Sequence, residues 1–138
     1  RINDNMGLYV AQQVTQLMIQ NRIQVCDAKI LVMGLTFKEN CPDVRNTKIV
    51  DVVRELRKFG AKVDVYDPWV DADEAEHEYG LRPVKRLQRG RYDAVVMGVA
   101  HRQFAKLGVD GVRALGKKNH VLYDIKYVFN SDEVDGRL

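Results

Sequence analysis

The chain has 138 residues, 46% apolar and 30% charged, which suffices for one soluble globular domain with its own core. Its net charge of +3 comes from Lys and Arg interleaved with Asp and Glu, so there is no concentrated basic stripe of the kind nucleic acid requires. No apolar run approaches the roughly 18 to 20 residues of a membrane span. The two cysteines, Cys26 and Cys41, form no C-x-x-C pair and follow no signal peptide, which argues against a zinc site or disulfide framework and makes a reducing cytoplasm the simplest setting.

Residues 4–24 carry Met6, Val10, Val14, Leu17 and Met18 at helical spacing, with Asn3 or Asp4 as an amino-terminal cap. The chain opens on Arg rather than Met, inside this helix. It is therefore expected to be a piece of something longer, or a processed chain. Of the two readings of residues 1–25, a cover for one face of the sheet or a connector from a preceding domain, the missing start methionine favours the connector. The run 29–34 reads as a buried parallel strand. A helix is predicted over 47–59, capped by Asn46 and stopped by Gly60, with Ile49, Val52, Val53, Leu56 and Phe59 on its inner face. A more alternating strand at 61–66 ends in Asp67-Pro68 and belongs at a sheet edge. An acidic helix over 70–79 is closed by Gly80, and a short helical turn is expected over 84–88. A buried strand at 94–99, a helix at 109–115 and a strand at 120–124 follow. The polar segment 131–138 is expected to be a poorly ordered tail.

Strands alternating with helices predict an α/β fold, a Rossmann-like doubly wound parallel sheet behind a long connecting helix, with the sheet domain spanning 26–130. The expected strand order is 2-1-3-4. The switch point between the first and third strands is where such folds bind ligands.

The loop 34–48 lies at that point. It offers Lys38, a mobile ammonium, Arg45, a planar fork suited to phosphate or carboxylate, and Phe37, a flat apolar surface for a base or sugar. The following helix amino terminus adds free N–H groups. Arg45 has a competing reading as an ion pair with Asp43 or Glu39 that fixes the loop, and Lys48 reads as surface. Only Gly34 stands where a dinucleotide fingerprint would need G-x-G-x-x-G. NAD binding by these residues is therefore not expected, and Asp67 reads as a turn-forming Asp-Pro. His101, across the switch point from Phe37, fits a structural histidine better than a ligand-binding one. His77 among Glu74, Glu76 and Glu78 reads as a solvated helix rather than a metal cluster. Both cysteines read as ordinary thiols.

The stretch from Gly34 to Lys48 resembles the motif that opens the carboxy-terminal domain of the UDP-glucose/GDP-mannose dehydrogenase family. Three further stretches are similar to family elements in the right order: residues 1–6 to the start of its connecting helix, 62–68 to a strand, and 123–126 to a late strand with its basic residue. The wording of 36–40 and 42–46 looks closest to enzymes acting on UDP-N-acetylhexosamines. The resemblance implies an NAD-dependent nucleotide-sugar 6-dehydrogenase. Such an enzyme takes a C6 alcohol to the acid with two NAD⁺ through a cysteine-linked thiohemiacetal, in polysaccharide biosynthesis such as capsule and O-antigen. It implies that Phe37 and Lys38 contact the nucleotide or sugar, that Lys126 helps to hold substrate, and that Arg45 belongs to the same motif. It further implies that NAD and the nucleophilic cysteine belong to domains absent here, that this chain alone is inactive, and that the whole protein is a homodimer or larger. The alternative is a stand-alone module binding a nucleotide or small anion without catalysis.

Overall fold

Three apolar runs, 30–33, 94–97 and 121–123, set the middle of the sheet, each short enough to be a strand and too apolar to face water. A computed structural model describes the backbone of residues 2–138 and the side chains of residues 5–138. The elements are α1 (Ile2–Gln20), β1 (Lys29–Met33), α2 (Ile49–Lys58), β2 (Lys62–Tyr66), α3 (Ala72–Tyr79), β3 (Tyr92–Met97), α4 (Arg102–Arg113), β4 (Gly116–Asp124), a 3₁₀ turn (Ser131–Glu133) and β5 (Gly136–Arg137). The strands form one parallel sheet in the order β2-β1-β3-β4-β5, as the alternation predicts, with one strand more than expected.

Alternate residues of each strand serve opposite faces. Ile30, Val32, Ala94, Val96, Val121 and Tyr123 join one core with α1 and α2, while Leu31, Met33, Val95, Met97 and Leu122 join another with Phe104 and Val112 of α4. Covering both faces is what makes the sheet doubly wound. Helix α1 buries Val10, Ala11, Val14 and Met18 and crosses α2 closely. A Cβ on Gly7 would lie 2.6 Å from the Asp51 Cβ, so this glycine, a weak helix former, is required by packing.

Five expectations are corrected. The α1 helix ends at Gln20 because Arg22 turns left-handed (φ 61°); Asn3 and Asp4 lie inside it, and their side chains fall outside the described residues. Helix α2 starts at Ile49 rather than Thr47: Asn46 is itself left-handed (φ 62°), and the Thr47 hydroxyl takes the Ile49 N–H at 3.2 Å. Helix α4 begins at Arg102, well before the expected residue 109, and kinks at Gly108 (φ 73°, ψ 167°). Segment 131–138 is not loose. Arg113 holds the Asp135 carboxylate at 3.2 Å and the Glu133 carbonyl at 3.0 Å, Asp135 accepts the Leu122 N–H at 2.7 Å, and the segment then pairs with β4 as β5. The turn expected over 84–88 is non-helical, whereas the glycine stops at Gly60 (φ 98°) and Gly80 (φ 68°) stand as predicted.

Candidate functional site

The carboxyl ends of β1, β3 and β4 open into a cleft of about 430 Å³. Gly98 donates to the Met33 carbonyl at 2.7 Å, so the β1 and β3 loops leave the sheet side by side. Gly34 sits between them at φ 100°, where an added Cβ would come within 2.6 Å of the Val99 Cβ. The loop after β1 contributes Phe37, Lys38, Thr47 and Lys48 to the lining, the turn after β4 contributes Ile125 and Lys126, and Met6 and Leu138 close the rim. Among the described residues that line the cleft there is no Asp or Glu, so its charged side chains, Lys38, Lys48 and Lys126, are all cationic and suit an anion.

Local chemistry explains how the loop stands. Leu35 and Val44 are fully buried and anchor its two ends, while Phe37 between them is 55% exposed at the mouth. The Phe37 N–H donates to the Asp43 carbonyl at 2.7 Å, closing the loop on itself. The buried Asp67, at the end of β2, supplies the base. Its Oδ2 accepts the N–H groups of Leu35 (2.6 Å) and Thr36 (3.0 Å) and a bond from the fully buried His101 (2.9 Å), while Oδ1 accepts the Trp69 N–H (2.8 Å). Burial pushes the Asp67 pKa upward, but the bonds from His101 and from the Leu35 and Trp69 amides outweigh it and hold the carboxyl below its ordinary range. Asp124 does similar work after β4. It is fully buried and accepts the N–H groups of Lys126 (3.2 Å) and Phe129 (2.9 Å), shaping the turn that presents Lys126.

Of the residues singled out in the sequence, Phe37, Lys38 and Lys126 come together on the cleft. Arg45 does not line it. Its guanidinium lies 3.0 Å from Asp43, mostly exposed, and that pairing holds the Asp43 carboxyl below its usual value. Lys48, read as surface, is on the cleft wall. The sequence reading missed Asp67 and Asp124 as loop organisers. An acid directly after a strand-ending tyrosine, in Tyr66-Asp67 and Tyr123-Asp124, was the available signal.

Comparison with known proteins adds to this geometry. Residues 31–131 match the UDP binding domain of the UDP-glucose/GDP-mannose dehydrogenase family. The chain belongs to this family. It is 53% identical over its whole length to UDP-N-acetyl-D-glucosamine 6-dehydrogenase of Pseudomonas aeruginosa, of which it covers 33%, and 38% identical over 98% of its length to protein CapL of Staphylococcus aureus, covering 32%. Among solved structures, an NDP-N-acetyl-D-galactosaminuronic acid dehydrogenase from Methanosarcina mazei superimposes on 96% of the chain with TM-score 0.83 at 25% identity, covering 27% of that protein. The chain thus spans about a third of the length of its curated dehydrogenase relatives.

Enzymes of this family name imply a nicotinamide dinucleotide, and the first βα turn of this domain does not fit one. Gly34 is packed against Val99, leaving no backbone cradle for a pyrophosphate, and both oxygens of Asp67 are occupied by amides and His101 rather than open to a ribose.

Proposed function

We propose that this chain is the part of an NAD-dependent UDP-sugar 6-dehydrogenase that grips the nucleotide of its substrate, and that the sugar is a UDP-N-acetylhexosamine. The observation that carries the reading is the lysine-lined cleft, without Asp or Glu among its described lining residues, at the switch point of a domain matched to a UDP-binding family. The 53% identity to a UDP-N-acetyl-D-glucosamine 6-dehydrogenase supports the choice of sugar. Lys38 and Lys126 neutralise the diphosphate, and Phe37 offers its exposed ring to the base or sugar. Arg45 acts through the loop, fastening Asp43 beside the Phe37 amide. No residue of this chain serves proton or hydride transfer. Its contribution is remote binding energy, which orients C6 at chemistry carried out by a dinucleotide-binding domain elsewhere in the full-length protein. In this reading the full-length protein is a cytoplasmic homodimer or larger assembly that feeds uronic acids into capsule or O-antigen polysaccharide, and this chain by itself turns over nothing.

The test is NADH formation by the full-length protein with a panel of UDP-sugars, the N-acetylhexosamines being oxidised best. Calorimetry with UDP on the same protein assigns the cleft. Lys38→Ala should weaken binding by on the order of 1.5 to 3 kcal/mol, roughly tenfold or more. Unchanged affinity in a folded variant would remove Lys38 from the site. UDP binding without oxidation of any UDP-sugar would favour a binding module over an enzyme.

A further inference from the structure

His101 is fully buried and is not among the residues that line the cleft, yet its ring touches the loop that does. Nδ1 accepts the Asn40 N–H at 2.9 Å. A ring nitrogen that accepts a hydrogen bond carries no proton, so in the neutral ring the proton is on Nε2. That N–H points at Asp67 Oδ2 (2.9 Å) and the Thr36 hydroxyl oxygen (3.1 Å), and the Thr36 hydroxyl in turn donates to the Lys38 carbonyl at 3.1 Å. One imidazole therefore spans Thr36 and Asn40, the two residues that bracket Phe37 and Lys38. Asn40 is left-handed (φ 56°), and its side-chain oxygen accepts the Arg102 N–H at 2.9 Å, tying the same corner to the start of α4. The Trp69 and Phe104 rings, with centroids 6.3 and 5.3 Å away, wall the imidazole in.

We propose that His101, as the neutral Nε2–H tautomer, is a positioning residue for nucleotide recognition: it sets the span of the 36–40 corner and thereby aims Phe37 and Lys38 into the cleft. This rests on the reading of the cleft as the UDP site. The tautomer matters because only this form satisfies Asn40 and Asp67 together. With the proton on Nδ1, two N–H groups would face each other at the Asn40 amide and the Asp67 carboxylate would lose a donor. A phenylalanine would fill the space but offer neither bond. An asparagine places an acceptor near the position of Nδ1 and restores the Asn40 bond alone.

The experiment has two arms. In the first, long-range proton–nitrogen correlation spectra of the full-length protein carrying nitrogen-15 histidine, with the His101→Asn variant assigning the signal, report the His101 tautomer near neutral pH. The Nε2–H pattern is expected, and an Nδ1–H or doubly protonated ring overturns the proposal. In the second, calorimetry measures UDP binding to the full-length protein and its His101→Phe and His101→Asn variants. His101→Phe should raise Kd at least about fivefold, the loss of one hydrogen bond, with His101→Asn in between. A purely structural histidine would lower thermal stability and leave the Kd of the folded protein alone, and that result overturns the proposal. If His101→Phe does not fold, the tautomer and the His101→Asn Kd decide. Wild-type protein that fails to bind UDP brings down the functional reading as well, whereas wild type and variants that bind equally bring down this inference only.

Discussion

Asp67 concentrates four hydrogen bonds on one buried carboxylate: amides from Leu35, Thr36 and Trp69, and the His101 ring. Its ionised form accepts all of them, and an amide in its place would turn a donor against donors. Asp67→Asn is expected to lower unfolding free energy by about 3 kcal/mol in denaturant titration, since buried N–H groups are left unpaired. The pH dependence follows from the depressed carboxyl pKa. As acid is added, the unfolded chain takes up the proton first, near the ordinary value of about 3.9. The Asp67 contribution is therefore complete above that value and is lost as pH falls through the lower folded-state pKa. The gap between wild type and Asp67→Asn should narrow in strong acid; a gap that widens there would contradict this assignment. The sequence announces Phe37 and Lys38, because a cationic loop after a buried strand is a local pattern. It does not announce that Asp67 and His101 meet, since they are 34 residues apart and their contact exists only once β2 and β3 flank β1.

At the scale of elements, the two non-strained helical glycines behave differently. Glycine in a helix costs about 1 kcal/mol relative to alanine, so replacement should stabilise wherever space permits. At Gly111 a Cβ would meet only the Leu107 side chain, at 3.4 Å, and Gly111→Ala should raise the melting temperature. At Gly7 the Cβ would meet Asp51 Cβ at 2.6 Å and its carbonyl carbon at 2.8 Å. Overpacking at a helix crossing costs about 1 to 3 kcal/mol and outweighs propensity, so Gly7→Ala should lower the melting temperature. Equal shifts for both would refute the close crossing of α1 and α2. Element type and order are readable from periodicity, whereas α4 shows what is not. Its first turn is capped by Asn40, from another loop, and no helix-start signal stands next to Arg102. Segment 131–138 looks like a tail by composition, because its strand depends on Arg113 and Asp135 finding each other across the fold.

The whole molecule carries buried phenols on both faces of the sheet. Tyr92 and Tyr123 are almost wholly inaccessible, and burial pushes both phenols up to about 12, with Asp64 adding to the effect at Tyr92. Raised folded-state values mean that the native protein keeps its protons while the unfolded chain, near 10, has released them. Stability contributed by these phenols is thus complete below pH 10 and declines between pH 10 and about 12. Alkaline unfolding followed by circular dichroism should begin in that window and shift upward in Tyr92→Phe; onset unchanged in Tyr92→Phe would exclude this phenol as the trigger. The strand order 2-1-3-4 was readable because right-handed crossovers leave few choices.

The corner that follows β1 is propped from both flanks, by a carboxylate issuing from β2 and an imidazole issuing from β3. It therefore acts as a gauge of sheet alignment. Any drift of Val65 or Val96 against their shared neighbour Val32 would tug Leu35 and Asn40 in different directions. Core substitutions deep under the sheet, with no ligand in reach, would then register as a change in how firmly the mouth holds its guest.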